Sequence, residues 1–199
     1  MRTRRTVHIS VMAAMALVMV MVVAAAPLRA GEEAARPAEF KVLDRWVGDW
    51  DLEITVKPNA QAPQGRKANY RSQVSWGIND RFLRCEAKGE SMDGEQKIAE
   101  AFMWMITHDP QSKAYTSTVF WSNIPAGAAG YWGTVPTGIG TWDEKEQMMS
   151  IRSEDKATGM VTLSVTQWID KDNHRWVQSL TEKNGNLVVE MSGTGKRRK

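Results

Sequence analysis

The sequence has little cysteine, little histidine and no motif for nucleotide binding or nucleophilic catalysis. Its single cysteine, Cys85, excludes a disulfide within the chain and, in a strand-like run, is expected to be a small buried side chain. Of the three histidines, neither His108 nor His174 has a second histidine at helical or hairpin spacing, so no metal site is predicted. Phosphate loops, dinucleotide-binding glycine patterns and nucleophile elbows are missing. We therefore predict a non-enzymatic protein without catalytic residues.

Long apolar runs are confined to the N-terminus. Arg2, Arg4 and Arg5 precede an uninterrupted apolar run over residues 11–26. As a helix this run spans about 24 Å, which is short of a hydrocarbon core of about 30 Å. The pattern predicts a secretory signal peptide over residues 1–30, with an uncleaved anchor as the alternative. We expect an exported protein, periplasmic or extracellular, with no stable membrane insertion after cleavage.

An excess of positive charge is also missing once residues 1–30 are removed. The whole chain carries a formal charge of +3, but the remaining residues contain 22 basic and 23 acidic side chains. Four of those cations form the C-terminal residues 196–199, which are interpreted as a solvated basic tail. The rest of the chain is mildly acidic, so no nucleic-acid partner is predicted.

What the sequence does contain is a series of short runs in which apolar and polar residues alternate. Trp50, Leu52, Ile54 and Val56 alternate with polar residues, and this period of two indicates a half-buried strand. Further strands are predicted at residues 68–76, 81–88, 98–107, 114–121, 131–135, 147–153, 160–169, 175–181 and 187–192. Short connections such as Asn184-Gly185 are typical of hairpins. Nine or ten strands with almost no helix predict an all-β fold, an antiparallel up-and-down barrel.

The chain after the signal peptide suits one domain. Residues 31–39 are predicted to be a flexible leader, and residues 40–195 the barrel. Phe40, Leu43 and Val47 recur at helical spacing, which predicts a short helix across one end of the barrel. The glycine-rich residues 122–140 are expected to form a lid or binding rim.

Nine tryptophans are the main peculiarity of the composition. Trp46, Gly48 and Trp50 are interpreted as a structural closure of the barrel, because glycine permits close approach and tryptophan fills a large volume. A ligand pocket is predicted from five residues on or beside neighbouring strands: Trp76, Arg84, Trp104, Trp121 and Trp132. Two alternatives stay open at this point: the tryptophans form a packed core, and Arg84 forms a surface ion pair.

Several short motifs, in their order along the chain, resemble a bacterial exported family of unknown function with a lipocalin-like (calycin-type) barrel. The motifs are Gly48-Asp49-Trp50, Trp76 with Asn79-Asp80-Arg81-Phe82-Leu83, His108-Asp109-Pro110, and Gly140-Thr141-Trp142-Asp143. Together they cover about residues 40–194. The resemblance implies a barrel and a small-molecule pocket, and it brings no catalytic residues.

The predicted function is therefore the binding of a small hydrophobic or amphiphilic molecule inside the barrel. One alternative is a haem-binding or enzymatic barrel of nitrobindin-like type, since those barrels also open with G-x-W. In that case His174 is the candidate axial ligand, although no cofactor is otherwise predicted. The other alternative is a packed barrel that acts through its surface, with a homodimer among the options because residues 98–107 are apolar on both faces.

Overall fold

The computed structural model describes residues 36–60, 62–93, 96–121 and 137–199. The predicted signal peptide, the predicted strand at 131–135 and Trp132 lie outside the described residues. Of Trp121 the backbone is described and the side chain is not. Within the described part of the chain, no helix is long and apolar enough to cross a membrane.

The described chain begins with one short helix. Helix α1 spans Ala38–Leu43 and continues as a 3-10 turn over Asp44–Trp46. Phe40, Leu43 and Trp46, spaced three residues apart, lie on one face and are buried. The Tyr115 hydroxyl donates a 3.0 Å hydrogen bond to the Glu39 carbonyl. The helix therefore covers one end of the barrel, which we call the helix end.

Ten antiparallel strands form a closed barrel, in which each strand pairs with its sequence neighbours and β10 pairs with β1. Their bounds are β1 Gly48–Val56, β2 Arg66–Gly77, β3 Phe82–Asp93, β4 Gln96–Asp109, β5 Ala114–Trp121, β6 Gly138–Asp143, β7 Met148–Glu154, β8 Val161–Trp168, β9 Asn173–Thr181 and β10 Leu187–Arg197. The predicted all-β, up-and-down barrel is confirmed.

Residues that alternate in the sequence point alternately to the inside and to the outside of the barrel. On β1, Trp50, Leu52 and Ile54 point inward and are buried, while Asp51 and Glu53 face solvent. Full burial of such an apolar side chain contributes about 1.5–3 kcal/mol. These three side chains belong to the same buried cluster as Phe40, Leu43 and Trp46 at the helix end.

Strand β6 was missed by the sequence analysis, which assigned its first residues to the glycine-rich lid or rim. Two of its three inward positions are Gly138 and Gly140, and only the third, Trp142, is apolar, so the run lacks the alternating apolar side chains that indicate a strand. The glycines are needed there, because a Cβ on Gly138 would lie 2.5 Å from Ile151 on the neighbouring strand. The missing side chains make room for that isoleucine.

The predicted basic tail also needs correction. Lys196 and Arg197 belong to β10 and pair with Asp51 and Trp50 of β1. Arg197 points inward and is held by the helix end of the barrel. The last strand therefore runs five residues past its predicted end at residue 192.

Candidate functional site: a cavity inside the barrel

The interior of the barrel contains a cavity of about 180 Å³. One part of its wall is aromatic and aliphatic, and another part carries hydroxyl, amide and imidazole groups. The apolar lining residues are Trp46, Trp50, Leu52, Val74, Phe102, Trp104, Val119, Ile151 and Trp176. The polar lining residues are Ser72, Cys85, Ser117, Ser153, Thr162, Ser164, Thr166, His174 and Gln178. An apolar cavity with a few placed polar groups is typical of small-molecule sites.

The helix end of the cavity is sealed by the first and last strands. Trp50 is 1% exposed, and its indole N–H donates a 2.7 Å hydrogen bond to the Trp46 carbonyl. The Arg197 guanidinium lies over the Trp50 ring at 4.3 Å and donates to the carbonyls of Arg45 and Val47. Gly48 has a φ of +128°, and a Cβ there would lie 2.6 Å from Arg197 Nη1. This geometry explains why glycine and tryptophan stand at these positions.

His174 is buried in the cavity wall, and its environment is aromatic. Its ring stacks on Trp168 with centroids 4.9 Å apart and meets Trp50 edge to face at 5.0 Å. Burial, and to a smaller extent the nearby Arg197 charge, lowers the pKa of His174 to about 4. The imidazole is therefore neutral at pH 7. Its Nδ1 atom is buried without a hydrogen-bond partner among the described residues.

Two glycines of β10 make the space for the rings of β9. Gly195 pairs with His174 and Gly193 pairs with Trp176. A Cβ on Gly195 would overlap the His174 ring, with Nε2 as its nearest atom, and a Cβ on Gly193 would lie 2.6 Å from Trp176. Because glycine has no side chain, the His174 and Trp176 rings pack directly against the backbone of β10.

Six of the nine polar lining residues come from three consecutive strands, β7, β8 and β9. Ser153 on β7 pairs with Thr162 on β8, and Ser164 on β8 pairs with Gln178 on β9. All four are inward positions that line the cavity. In a solid barrel core such positions are expected to be apolar, so their hydroxyl and amide groups indicate an interior that accommodates polar atoms.

A buried ionic cluster lies on the inward faces of β2, β3 and β4, toward the end opposite the helix. Glu100 pairs with Arg66, accepts a hydrogen bond from the Tyr70 hydroxyl, and accepts another from Ser91 at 3.0 Å. Burial and the bond to Glu100 raise the pKa of Tyr70, so the hydroxyl stays protonated. The sequence analysis singled out no buried carboxylate. The alternation along β4 could have identified it, because Glu100 lies on the same strand face as the inward-facing Phe102 and Trp104.

The predicted pocket residues are not all brought together. Trp104 lines the cavity, where its indole N–H donates a 2.6 Å bond to Ser117. Trp76 lies instead beside the helix, donates to Asp44 at 2.9 Å, and contacts Phe40. The side chains of Trp121 and Trp132 lie outside what the structure describes.

Arg84 is corrected by the structure. Its side chain is on the outer face of β3, about half exposed, and lies 3.4 Å from the Glu86 carboxylate. The position alternates with the inward Leu83 and Cys85. Arg84 therefore forms the surface ion pair that was the alternative, and it is not a ligand anchor inside the barrel.

Cys85 and His108 take structural positions. Burial raises the pKa of the Cys85 thiol to about 12, so it stays protonated in the cavity wall. His108, next to the turn that follows β4, is buried beneath the helix, with its ring 6.1 Å from Phe40 and 5.1 Å from Tyr115. The turn is capped by Asp109, which accepts from the backbone N–H groups of Gln111 and Ser112.

The residues around His174 do not fit a haem. Trp168 and Trp50 cover its ring, and its Nε2 atom lies against Gly195 at the barrel wall. The cavity of about 180 Å³ is also smaller than the roughly 300–1,000 Å³ of sites for drug-sized ligands. Among the described residues no group of three or more His, Cys, Asp or Glu side chains is placed to hold a metal ion.

Comparison with protein families gives one match, to a family described as "Protein of unknown function (DUF1579)", over residues 36–197. No protein of curated function is detectably similar in sequence. The match spans the helix and all ten strands.

Solved structures share the fold at low sequence identity. The S-type phycobiliprotein lyase CPES from Guillardia theta is 15% identical, with a TM-score of 0.54, covering 84% of this chain and 96% of that one. Rv2717c from M. tuberculosis is 7% identical, with a TM-score of 0.55, covering 82% of this chain and 99% of that one. At these identities the likeness shows the barrel fold alone.

Proposed function

The chain belongs to the DUF1579 family of proteins of unknown function, and we propose that it is an exported protein that binds a small molecule inside its barrel. The observation that carries the proposal is the interior cavity with its aromatic and polar walls. The N-terminal sequence supports export. CPES, named as a phycobiliprotein lyase, is a protein of the same fold, and it lends the proposal fold-level support only.

The ligand site lies between the sealed helix end and the end where β5 finishes and β6 begins. Arg197, Trp50 and α1 close the helix end, so the proposal places ligand entry at the opposite end. No charged side chain lines the cavity within the described part of the chain, so the ligand is an uncharged molecule or an uncharged part of one.

Native mass spectrometry tests the proposal directly. The full-length gene is expressed in an exporting host, and the protein is purified gently in the processed form that results. We expect a start at residue 31 and a stoichiometric small molecule that is lost on denaturation. A bare polypeptide mass, together with no uptake from a panel of small apolar and aromatic compounds, would refute interior binding.

A matched pair of variants locates the ligand. Ser164→Phe places a large ring in the cavity, whereas Leu163→Phe places the same ring on the outer face of the same strand, where Leu163 is 42% exposed. We expect Ser164→Phe to lose the ligand and Leu163→Phe to keep it. Retention by both variants would place the ligand elsewhere.

The outer surface supports a second candidate, an interaction barrel. Half-buried Met103 on the outer face of β4 pairs with Phe120 on β5, which is 41% exposed. These side chains form an apolar strip suited to contact with a second copy of the chain. Light scattering over a hundredfold range of concentration tests this function, since a constant monomer mass excludes a homodimer in that range.

A further inference from the structure

We propose that the interior ligand is a neutral, flat, single-ring molecule whose hydrogen-bonding groups lie together along one edge. Its ring packs against an aromatic wall on β4, and its polar edge faces a polar strip on β7, β8 and β9. The inference rests on the binding function proposed above and names the ligand class for the same cavity. The polar strip lines the cavity and consists of Ser153, Thr162, Ser164, Thr166 and Gln178.

The side chains of the polar strip form no hydrogen bond with any other group in the described part of the chain. Two side-chain atoms there are both unpaired and fully buried, Nε of Arg66 and Nδ1 of His174. The polar strip contributes no such atom, so its hydroxyl and amide groups are reachable from the barrel interior. Ser153 is the clearest case, because only 6% of this residue is exposed. Buried polar groups are generally hydrogen-bonded, so these groups indicate partners that a ligand supplies.

The aromatic wall lies opposite the polar strip. In the closed order of ten strands, β4 is five strands away from β9 in either direction, so the two strands face each other across the interior. Phe102 and Trp104 are inward residues of β4 that line the cavity. A ligand between the two sides therefore meets aromatic rings on one side and hydroxyl and amide groups on the other.

The aromatic wall offers ring faces, because its indole donor is already used. The N–H of Trp104 donates a 2.6 Å hydrogen bond to Ser117. The ring of Trp46, which also lines the cavity, has its centroid 5.6 Å from that of Trp104. Such a wall favours a flat ring in offset or edge-to-face contact. It disfavours a sugar, because the sugar hydroxyl groups on this side would be buried without partners.

The volume and the lack of charge narrow the ligand further. A protein cavity of about 150 Å³ lined by aliphatic and aromatic side chains holds benzene. The cavity here is slightly larger, at about 180 Å³, so one ring with a small substituent fits and a long acyl chain does not. A carboxylate or an ammonium group would be buried without an opposite charge among the described lining residues. A neutral amide suits the polar strip, because hydroxyl groups and the Gln178 amide both donate and accept.

The test compares three molecules of similar shape. Benzamide carries a neutral donor and acceptor on one edge, benzoate carries a charge there, and isopropylbenzene carries methyl groups. Calorimetry measures their affinities for the protein purified from the exporting host and for two double variants. Ser164→Ala with Thr166→Val removes two hydroxyl groups of the polar strip. Ser192→Ala with Thr194→Val is the matched control, because these residues alternate with the inward Met191 and lie on the outer face of β10.

We expect benzamide to bind about tenfold more tightly than isopropylbenzene, as for one buried hydrogen bond, and benzoate to bind most weakly. The preference for benzamide over isopropylbenzene should disappear in Ser164→Ala with Thr166→Val and stay unchanged in the control. Both double variants should fold, because the substitutions are nearly isosteric and the removed hydroxyl groups have no partner in the described chain.

NMR of the unmutated protein gives a reading that needs no variant. In the complex with benzamide, nuclear Overhauser contacts should join the ring protons of the ligand to Trp104 and its amide protons to Ser164 and Thr166. The opposite arrangement, with the amide at Trp104, would refute the proposed orientation.

The outcomes separate this inference from interior binding itself. If isopropylbenzene binds as tightly as benzamide, or the preference survives in Ser164→Ala with Thr166→Val, then the polar strip serves water only and the ligand class is refuted while interior binding stands. If none of the three molecules binds while native mass spectrometry shows another bound molecule, the ligand class is refuted and interior binding again stands. If none binds and the polypeptide mass is bare, both proposals fail.

Discussion

The guanidinium carbon of Arg197 lies 4.3 Å from the centre of the Trp50 ring, so a side chain of the last strand, β10, covers a tryptophan of the first strand, β1. The same guanidinium donates to the carbonyls of Arg45, Val47 and Lys171 and lies 3.3 Å from Asp172. One side chain thus joins the 3-10 turn, β1, β10 and the turn between β8 and β9.

Replacing Arg197 with alanine should destabilise the barrel by about 2–4 kcal/mol. The change removes a cation–π contact and leaves partly buried carbonyls without their donor. Urea unfolding measures the loss. Lys196→Ala is the control, because that side chain is exposed on the same strand and should cost less than about 0.5 kcal/mol. Equal effects of the two substitutions would refute a special role for Arg197.

Gly195→Ala should destabilise the protein by about 1–3 kcal/mol, because the added methyl group overlaps the His174 ring. Gly77→Ala is the matched control. A Cβ there meets nothing closer than a carbonyl oxygen at 4.0 Å, so we expect a change within about 0.5 kcal/mol. Thermal and urea unfolding of both variants give the comparison. An unaffected Gly195→Ala would mean that the His174 ring moves aside freely.

Acid should weaken the fold through His174. Its pKa is about 4 in the folded protein and about 6.5 in the unfolded chain, so the unfolded state binds more protons between these values. The contribution of His174 to the free energy of unfolding is fully present above pH 6.5, and about 3 kcal/mol of it is lost as the pH drops to 4. Carboxylates titrate in the same window, so the measurement is the difference between the unmutated protein and His174→Phe. A variant with the same pH slope would contradict the assignment.

Glu100→Ala should cost about 2–4 kcal/mol, because it leaves the Arg66 guanidinium and the Tyr70 hydroxyl without their acceptor inside the barrel. The control is Glu90→Ala, which breaks an exposed pair with Lys97 at 2.9 Å and should cost less than about 1 kcal/mol. Chemical unfolding of both variants compares a buried with an exposed carboxylate. Similar costs would show that the buried cluster contributes no more than a surface pair.

The strands were largely predictable from sequence because alternation is a local property. Trp50, Leu52 and Ile54 show it directly, and the barrel follows from many such runs with short turns. Strand β6 was missed because glycine at Gly138 and Gly140 leaves no apolar side chain to read. Their role depends on Ile151, which lies on another strand, and only the folded structure shows that relation.

The site was less predictable because its members are distant in sequence. Nothing local connects Arg197 to Trp50, which lies about 150 residues earlier, so the residue was assigned to a solvated tail. The alternation along each strand would have placed two of its residues inside the barrel. Glu100 lies on the same face of β4 as Trp104, and His174 lies on the same face of β9 as Trp176. The same alternation would have placed Arg84 on the outer face, because it lies between Leu83 and Cys85, which point inward.

Closure between β1 and β10 has a consequence for how the chain folds. During synthesis β1 gains one neighbour from β2 early, but its other edge stays unpaired until residues 187–197 have emerged. Contacts that join the two ends of a sequence are slow to form, and an open edge invites pairing with other chains. The edge of β1 that β2 leaves free is therefore protected from aggregation only once residues 187–197 have paired with it.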